Sequence, residues 1–271
     1  MKVRFSEQAN QLIVKEVHHY YELQERQCLD IFLDKSYEIV DETEPADICI
    51  VGIQHTDNSL LRDNEINILL CVENLSIGRK HYKHFNKFGR NNPKINHYIY
   101  NDVSEPTDDI TPAVLCRMRY FNTLTAIHTI PFNEKRFCLF ISRNGLNTNK
   151  RDCIQRLSQY GEIDSLDKYN ISHLTCYNNP ELLRIFNLYK FIICFENSKT
   201  DGYITEKIFN VFLAKSIPIY DGAPNVCSFI NKHAFIQYPN IDISKLINNE
   251  TNYNYIIDLP KCVDITYAEC L

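Results

Sequence analysis

The chain has 271 residues, with 29 Lys and Arg against 34 Asp and Glu for a formal charge of −5, and 44% apolar, 12% aromatic and 23% charged residues. This is the composition of an ordinary globular protein; it excludes a disordered or fibrous chain. The weak acidity, with no Lys/Arg run, excludes a protein built to coat nucleic acid or an anionic membrane.

At roughly 100–200 residues per domain, the length predicts two domains or one large α/β unit. The chain opens Met1, Lys2, Val3, Arg4, Phe5 and turns polar at Ser6 and Glu7, so no signal-peptide apolar region is expected. No stretch approaches the roughly 18–20 apolar residues of a membrane span. A soluble, cytoplasmic protein is expected, or a lumenal one if an anchor has been removed.

Short β-branched runs alternate with stretches of helical periodicity, the pattern of a mostly parallel sheet with crossover helices. Strands are predicted at Val3 to Phe5, Tyr37 to Val40, Asp47 to Gly52, Ile66 to Val72 and His97 to Tyr100. A second set is predicted at Arg136 to Ser142, Lys190 to Phe195, Ile217 to Tyr220 and Ala234 to Gln237, with helices near 149–159, 180–187, 203–214 and 224–230. The segment Ile127 to Lys135, containing Pro131, is the expected boundary. It divides the chain into domains 1–133 and 134–271, with a ligand cleft expected between two α/β halves.

The 11 cysteines are odd in number and widely spaced, without a C-x-x-C pair, so neither a zinc site nor a disulfide scaffold is expected. Most lie in apolar runs, as Cys49 and Cys194 do, which predicts buried free thiols. The nine histidines form no H-E-x-x-H pattern and no D-x-D is present, so no metal site is expected.

The most informative stretch runs from Phe195 through Glu196, Asn197, Ser198, Lys199, Thr200, Asp201, Gly202, Tyr203, Ile204, Thr205 and Glu206 to Lys207 and Ile208. It follows an apolar strand and opens a helix in which Ile204, Ile208, Val211 and Phe212 share a buried stripe. Tyr203, Glu206, Lys207 and Asn210 form a second, polar stripe on the opposite side. Asp201 and Gly202 supply the turn, and the helix N-terminus at a strand's carboxyl edge suits an anionic phosphate. A lysine in the first turn opposes the helix dipole unless an anion is near, so Lys207 points to a ligand. On periodicity alone, a solvated helix face with an incidental Glu-Lys pair fits equally well.

This stretch resembles the donor-binding signature of the α-1,3/4-fucosyltransferases, glycosyltransferase family 10, which reads F-E-N-S, three variable residues, then G/D-Y-[IV]-T-E-K-[IL]. Ser216 to Tyr220 and the Gly222, Ala223, Pro224 turn are similar to the family's next strand and loop. Phe137 to Asn144 is similar to the strand that opens its donor domain, and Arg151 falls where a helix Arg is common. In the first half, Cys71, Val72, Glu73, Asn74 is similar to the strand end that carries the family's general base.

The resemblance implies a two-domain GT-B fold, with two Rossmann-like domains facing a cleft. It also implies inverting, metal-independent transfer of L-fucose from GDP-fucose to a hydroxyl of an acceptor glycan or glycoconjugate, O3 of N-acetylglucosamine being the expected position. Glu73 would be the base, and Lys207 with the helix N-terminus would meet the diphosphate. Glu206 would face the fucose, and Asn197 and Tyr203 would hold donor hydroxyls or phosphate oxygens. Ser142 and Arg151 complete the expected donor site. One departure is Lys168, in Ile163, Asp164, Ser165, Leu166, Asp167, Lys168, which stands where the family has an arginine and keeps the charge but not the planar fork. Two rival readings stay open. One is a GT-B transferase of another GDP-sugar; the other is a non-catalytic protein that binds a nucleotide sugar or glycan.

Overall fold

The computed structural model describes residues 1–5, 37–41, 43–52, 59, 61–71, 92–100, 107–108, 110–141, 147–169 and 179–259. Glu73 and Ser142 lie outside the described residues, as does the side chain of Lys168. The chain forms two compact units: Met1–Tyr120 with Thr200–Tyr203 belongs to one, and Phe121–Lys199 with Ile204–Thr266 to the other.

The first unit holds six strands, β1 (Lys2–Phe5), β2 (Glu38–Ile39), β3 (Ile48–Gly52), β4 (Ile66–Cys71), β5 (His97–Tyr100) and β6 (Ile110–Pro112). They are all parallel, in the order β2-β1-β3-β4-β5-β6. Strand residues alternate between two cores. Val3, Ile48, Ile50, Ile68, Leu70 and Ile99 pack on one side with Ala113 and Cys116 of helix α1 (Ala113–Thr123). Cys49, Val51, Leu69, Tyr98 and Tyr100 pack on the other with Leu61 and Ile95. Burial of both faces is why these strands read as continuous apolar runs rather than alternating ones. Pro112 ends β6, an edge strand, where proline is tolerated.

A buried ion pair ties the start of this sheet together. Arg4 donates from Nε to both carboxylate oxygens of Glu65, at 3.1 and 2.9 Å, and the two side chains are 2% and 0% exposed. Burial pushes the Glu65 carboxyl up. The bonds from Arg4 and the Ala46 N–H, with the charges of Arg4 and Arg62, outweigh that and hold it below the usual range.

The second unit holds β7 (Arg136–Phe140), β8 (Ile163–Ser165), β9 (Tyr189–Phe195), β10 (Ile217–Asp221) and β11 (Ile236–Gln237), all parallel in the order β11-β10-β9-β7-β8. Its helices are α2 (Thr148–Leu157), α3 (Pro180–Asn187), α4 (Glu206–Leu213) and α5 (Glu250–Asp258). Asparagine caps open three of them: Asn147 accepts from the Lys150 N–H, Asn179 from Glu181 and Leu182, and Asn249 from Asn252. Because β7 lies between β8 and β9, the strand order reverses beside it. The carboxyl ends of β7 and β9 therefore flank the topological switch point, where open parallel sheets bind ligands.

Several expectations need correction. The helix expected at 203–214 begins only at Glu206, because Gly202 turns with φ 77° and Thr205 is extended at φ −102° and ψ −175°. The expected helix at 224–230 is a 3₁₀ turn, Val226–Ser228. β7 ends at Phe140, before Ser142, and β11 starts at Ile236 rather than at Ala234. The segment 127–135 precedes β7 in the chain and bonds within the second unit. There Ile127 N donates to Leu213 O, and Asn187 Nδ2 donates to His128 O.

Of the six cysteines whose side chains are described, Cys49, Cys116, Cys138, Cys153 and Cys194 are buried free thiols, and Cys227 is exposed. Burial pushes Cys49 up to about 11 and Cys153 up to about 12, so these thiols fill the core and are not nucleophiles. Among the described residues no helix is long and apolar enough to cross a membrane.

Candidate active site

Charged side chains gather at the carboxyl edge of the second sheet. Glu196 directly follows β9 and has a side chain closed to solvent. Its Oε1 accepts the Thr205 N–H at 2.7 Å, and its Oε2 accepts the Thr205 hydroxyl at 2.7 Å and Lys207 Nζ at 2.9 Å. At the end of β10, Asp221 pairs with Lys199 at 2.6 Å and accepts from Asn149 Nδ2 at 3.1 Å. Asn149 and Lys150 lie in the first turn of α2.

Lys207 was expected to mark a ligand because its charge opposes the helix dipole. An internal anion, the Glu196 carboxylate, already meets that requirement, so Lys207 alone does not prove a ligand. The stronger signal is Lys150, which is only 7% exposed and whose side-chain ammonium has no hydrogen-bond or ion-pair partner among the described residues. Burial first, and then the positive charge of Lys207, hold its ammonium below the usual lysine range. An unpartnered ammonium on a largely buried side chain, in a first helical turn and repelled by a second cation, is costly unless an anion comes to it. Its sequence signal was available, because Lys150, Cys153 and Leu157 fall at i, i+3 and i+7 and share the buried face of α2.

Glu206 is likewise largely buried. It is 8% exposed, and its side chain has no hydrogen-bond or ion-pair partner among the described residues. The expected polar stripe is therefore no solvated face. Glu206 and Asn210 are buried, as is nearly the whole of α4, and Lys207 is partly exposed. Tyr203 precedes the helix and is 2% exposed, whereas Asn197 and Arg151 are exposed. Among the described residues no group of three or more His, Cys, Asp or Glu could hold a metal ion.

Residues 130–253, which span the whole second sheet and this edge, match the sequence profile of glycosyltransferase family 10 (fucosyltransferase), C-terminal part. That segment belongs to glycosyltransferase family 10.

Other similarities lie with the same family. The chain is 27% identical over 203 residues to GDP-fucose protein O-fucosyltransferase 3 of Danio rerio, covering 65% of this chain and 44% of that protein. It is 37% identical over 83 residues to the alpha-(1,3)-fucosyltransferase FucT of Helicobacter pylori, covering 28% of this chain and 17% of that one. These matches span less than half of either relative's length. A crystal structure of an alpha1,3-fucosyltransferase superposes with a TM-score of 0.57 at 16% identity, over 95% of this chain and 80% of that one. That likeness is one of fold.

Within the family 10 segment, the structure places Glu206 and Lys207 in one helical turn at the strand edges and Lys150 near enough to Lys207 for mutual repulsion. Sequence reasoning missed Lys150, Glu196 and the Lys199–Asp221 pair. Lys207 reaches back to Glu196 across the turn between β9 and α4, and Lys199 meets Asp221 because the ends of β9 and β10 lie side by side.

Proposed function

We propose that this chain is an inverting fucosyltransferase of GT-B type that moves L-fucose from GDP-fucose to a hydroxyl of an acceptor glycan, as an α-1,3-fucosyltransferase does at O3 of N-acetylglucosamine. The observation that carries the reading is Lys150, a largely buried lysine whose ammonium has no partner among the described residues and is repelled by Lys207, at the switch-point edge of a family 10 segment. A departing nucleoside diphosphate gathers negative charge, and preorganised ammonium groups in a partly desolvated site stabilise it without a metal. In this reading Lys150 and Lys207 serve the diphosphate. Lys150 takes the role for which Lys168 was considered, and Arg151, on the exposed side of α2, is less well placed for it. Glu206 faces the positive charge that develops on the fucose ring. Asn197, Tyr203 and Ser142 border the donor, and Glu73 takes the proton from the acceptor hydroxyl.

A second reading concerns the acceptor alone. The similarity to GDP-fucose protein O-fucosyltransferase 3 extends over 203 residues and favours a protein hydroxyl as target. Labelled GDP-fucose offered to a glycan array and to folded protein domains separates the two. Label on glycans supports the first reading, label on protein the second. Transfer from another GDP-sugar alone sinks the fucose assignment, and GDP binding without transfer to either panel leaves a nucleotide-sugar-binding protein. Glu73→Gln should abolish transfer while GDP binding persists; transfer at the parental rate would remove Glu73 from the mechanism.

A further inference from the structure

Two carboxylates end neighbouring strands of the second sheet, Glu196 after β9 and Asp221 on β10, and the Glu196 N–H donates to the Asp221 carbonyl at 2.8 Å. Their side chains are 0% and 9% exposed, so each is desolvated and needs a compensating charge. Asp221 takes Lys199, which is half exposed, and Glu196 takes Lys207.

Glu196 also does something Asp221 does not. Thr205 is the N-cap of α4, yet its own side chain makes no capping bond. Glu196 instead receives both the N–H and the hydroxyl of Thr205, and the same hydroxyl oxygen lies 3.0 Å from Lys207 Nζ. One carboxylate thus fixes the start of the helix and the ammonium in its first turn together.

Room for that carboxylate is made by Gly222. A Cβ there would lie 2.5 Å from Glu196 Cγ and 2.3 Å from the Tyr220 hydroxyl oxygen, closer than packed atoms approach. Gly222 is not among the positive-φ glycines, so it is glycine for space and not for backbone conformation.

We propose that Glu196 is a positioning residue of the donor site: its buried carboxylate holds the Lys207 ammonium charged and directed from the first turn of α4, and Gly222 lets it reach. The proposal rests on reading this edge as the donor site. Without Glu196, the Lys207 ammonium loses the carboxylate that offsets the helix dipole and the positive charge of Lys150. It then swings outward or gives up its proton more readily, and the diphosphate loses an aligned donor.

Glu196→Gln and Gly222→Ala, made in the full chain, test this in different ways. Glutamine keeps an acceptor for the Thr205 N–H and removes the charge; alanine keeps the charge and displaces the carboxylate. Transfer kinetics with GDP-fucose are read alongside the pH at which lysine side-chain NMR loses the Lys207 ammonium signal in the ligand-free protein. For Glu196→Gln, kcat should fall about tenfold to a hundredfold with KM for GDP-fucose changed less than about threefold. The alkaline limb of kcat and the loss of the ammonium signal should both move to lower pH. Gly222→Ala should reproduce the kcat loss, and it carries the test if the glutamine variant does not fold. Parental kcat and an unmoved alkaline limb in Glu196→Gln, in a parent that binds GDP, overturn the proposal. A parent that neither binds GDP nor transfers fucose overturns the donor-site reading instead. In that case the ligand-free titration alone decides, an unmoved ammonium signal rejecting the clamp and an earlier loss supporting it.

Discussion

At the amino edge of the second sheet Arg136, Asp164, Tyr169 and Tyr189 satisfy one another, whereas at its carboxyl edge the charged groups of the largely buried Lys150 and Glu206 have no partners among the described residues. Arg136 donates to Asp164 at 2.6 Å, the Tyr189 hydroxyl donates to the same carboxylate oxygen at 2.7 Å, and Tyr169 and Tyr189 share a bond of 2.5 Å. Lys135, just before β7, donates to the carbonyl and side-chain oxygens of Asn187 at 2.5 and 2.8 Å. The same residue types thus make a closed network at one end and an open one at the other. Perturbed charges at both ends are therefore not equally informative about function; the unpartnered ones are.

Substitutions at the two ends should separate affinity from stability. The largest effect is expected from Lys150→Ala, which should weaken GDP binding by roughly tenfold to a hundredfold, the value of a charged hydrogen bond, as measured by calorimetry. Its thermal stability should hold or rise, since a desolvated ammonium beside another cation is removed. A fall in stability with GDP affinity unchanged would place Lys150 with the structural charges of the amino edge. Asp164→Ala should do the converse, costing about 1–3 kcal/mol in denaturant unfolding by removing the carboxylate that accepts from both Arg136 and the Tyr189 hydroxyl, with GDP affinity unchanged. The exposed half of Arg136 returns to water and limits that loss.

Two pH dependences sharpen the contrast. Lys150 sits below the usual lysine range in the free protein because of burial and Lys207, and a bound anion pulls it back up. GDP binding should therefore take up protons on the alkaline side, and affinity should fall as pH climbs through the lowered value. Calorimetry in buffers of different ionisation enthalpy reads this, and Lys150→Ala should lose the uptake. At the amino edge, burial pushes Lys135 down to about 7, against 10.5 for an ordinary lysine. Between those values the unfolded chain holds a proton that the folded one has released, so this lysine makes stability rise with pH. Lys135→Met should flatten that rise in unfolding curves while GDP binding is unchanged. The smallest effect is expected from Asn149→Ala, which removes one bond to Asp221 and should cost about 0.5–1.5 kcal/mol of stability.

Much of the sheet framework was legible because doubly buried parallel strands are written as apolar runs. β5 was read with its observed ends, and β4 differs by one residue. The three-residue strands β6 and β8 are too short to carry a period, and only their neighbours' ladders define them. The start of α4 was misread because Ile204 keeps the helical spacing although the backbone at Thr205 is still extended. At the site, Glu206 and Lys207 are adjacent in the chain and necessarily share one turn. The motif could not reveal that Glu196 occupies the side of Lys207 where a ligand's charge was expected.

The sequence by itself determined the alternating α/β layout, the buried thiols and the family 10 signature from 195 to 208, because periodicity and local spacing are written along the chain. Only the tertiary structure decided which charges are answered and which are left open. Pairing depends on which strand ends and helix turns become neighbours, and on how much water remains between them. Lys150 and Lys207 are more than fifty positions apart in sequence, and only the folded sheet makes their repulsion, and the anion it calls for, a property of one place.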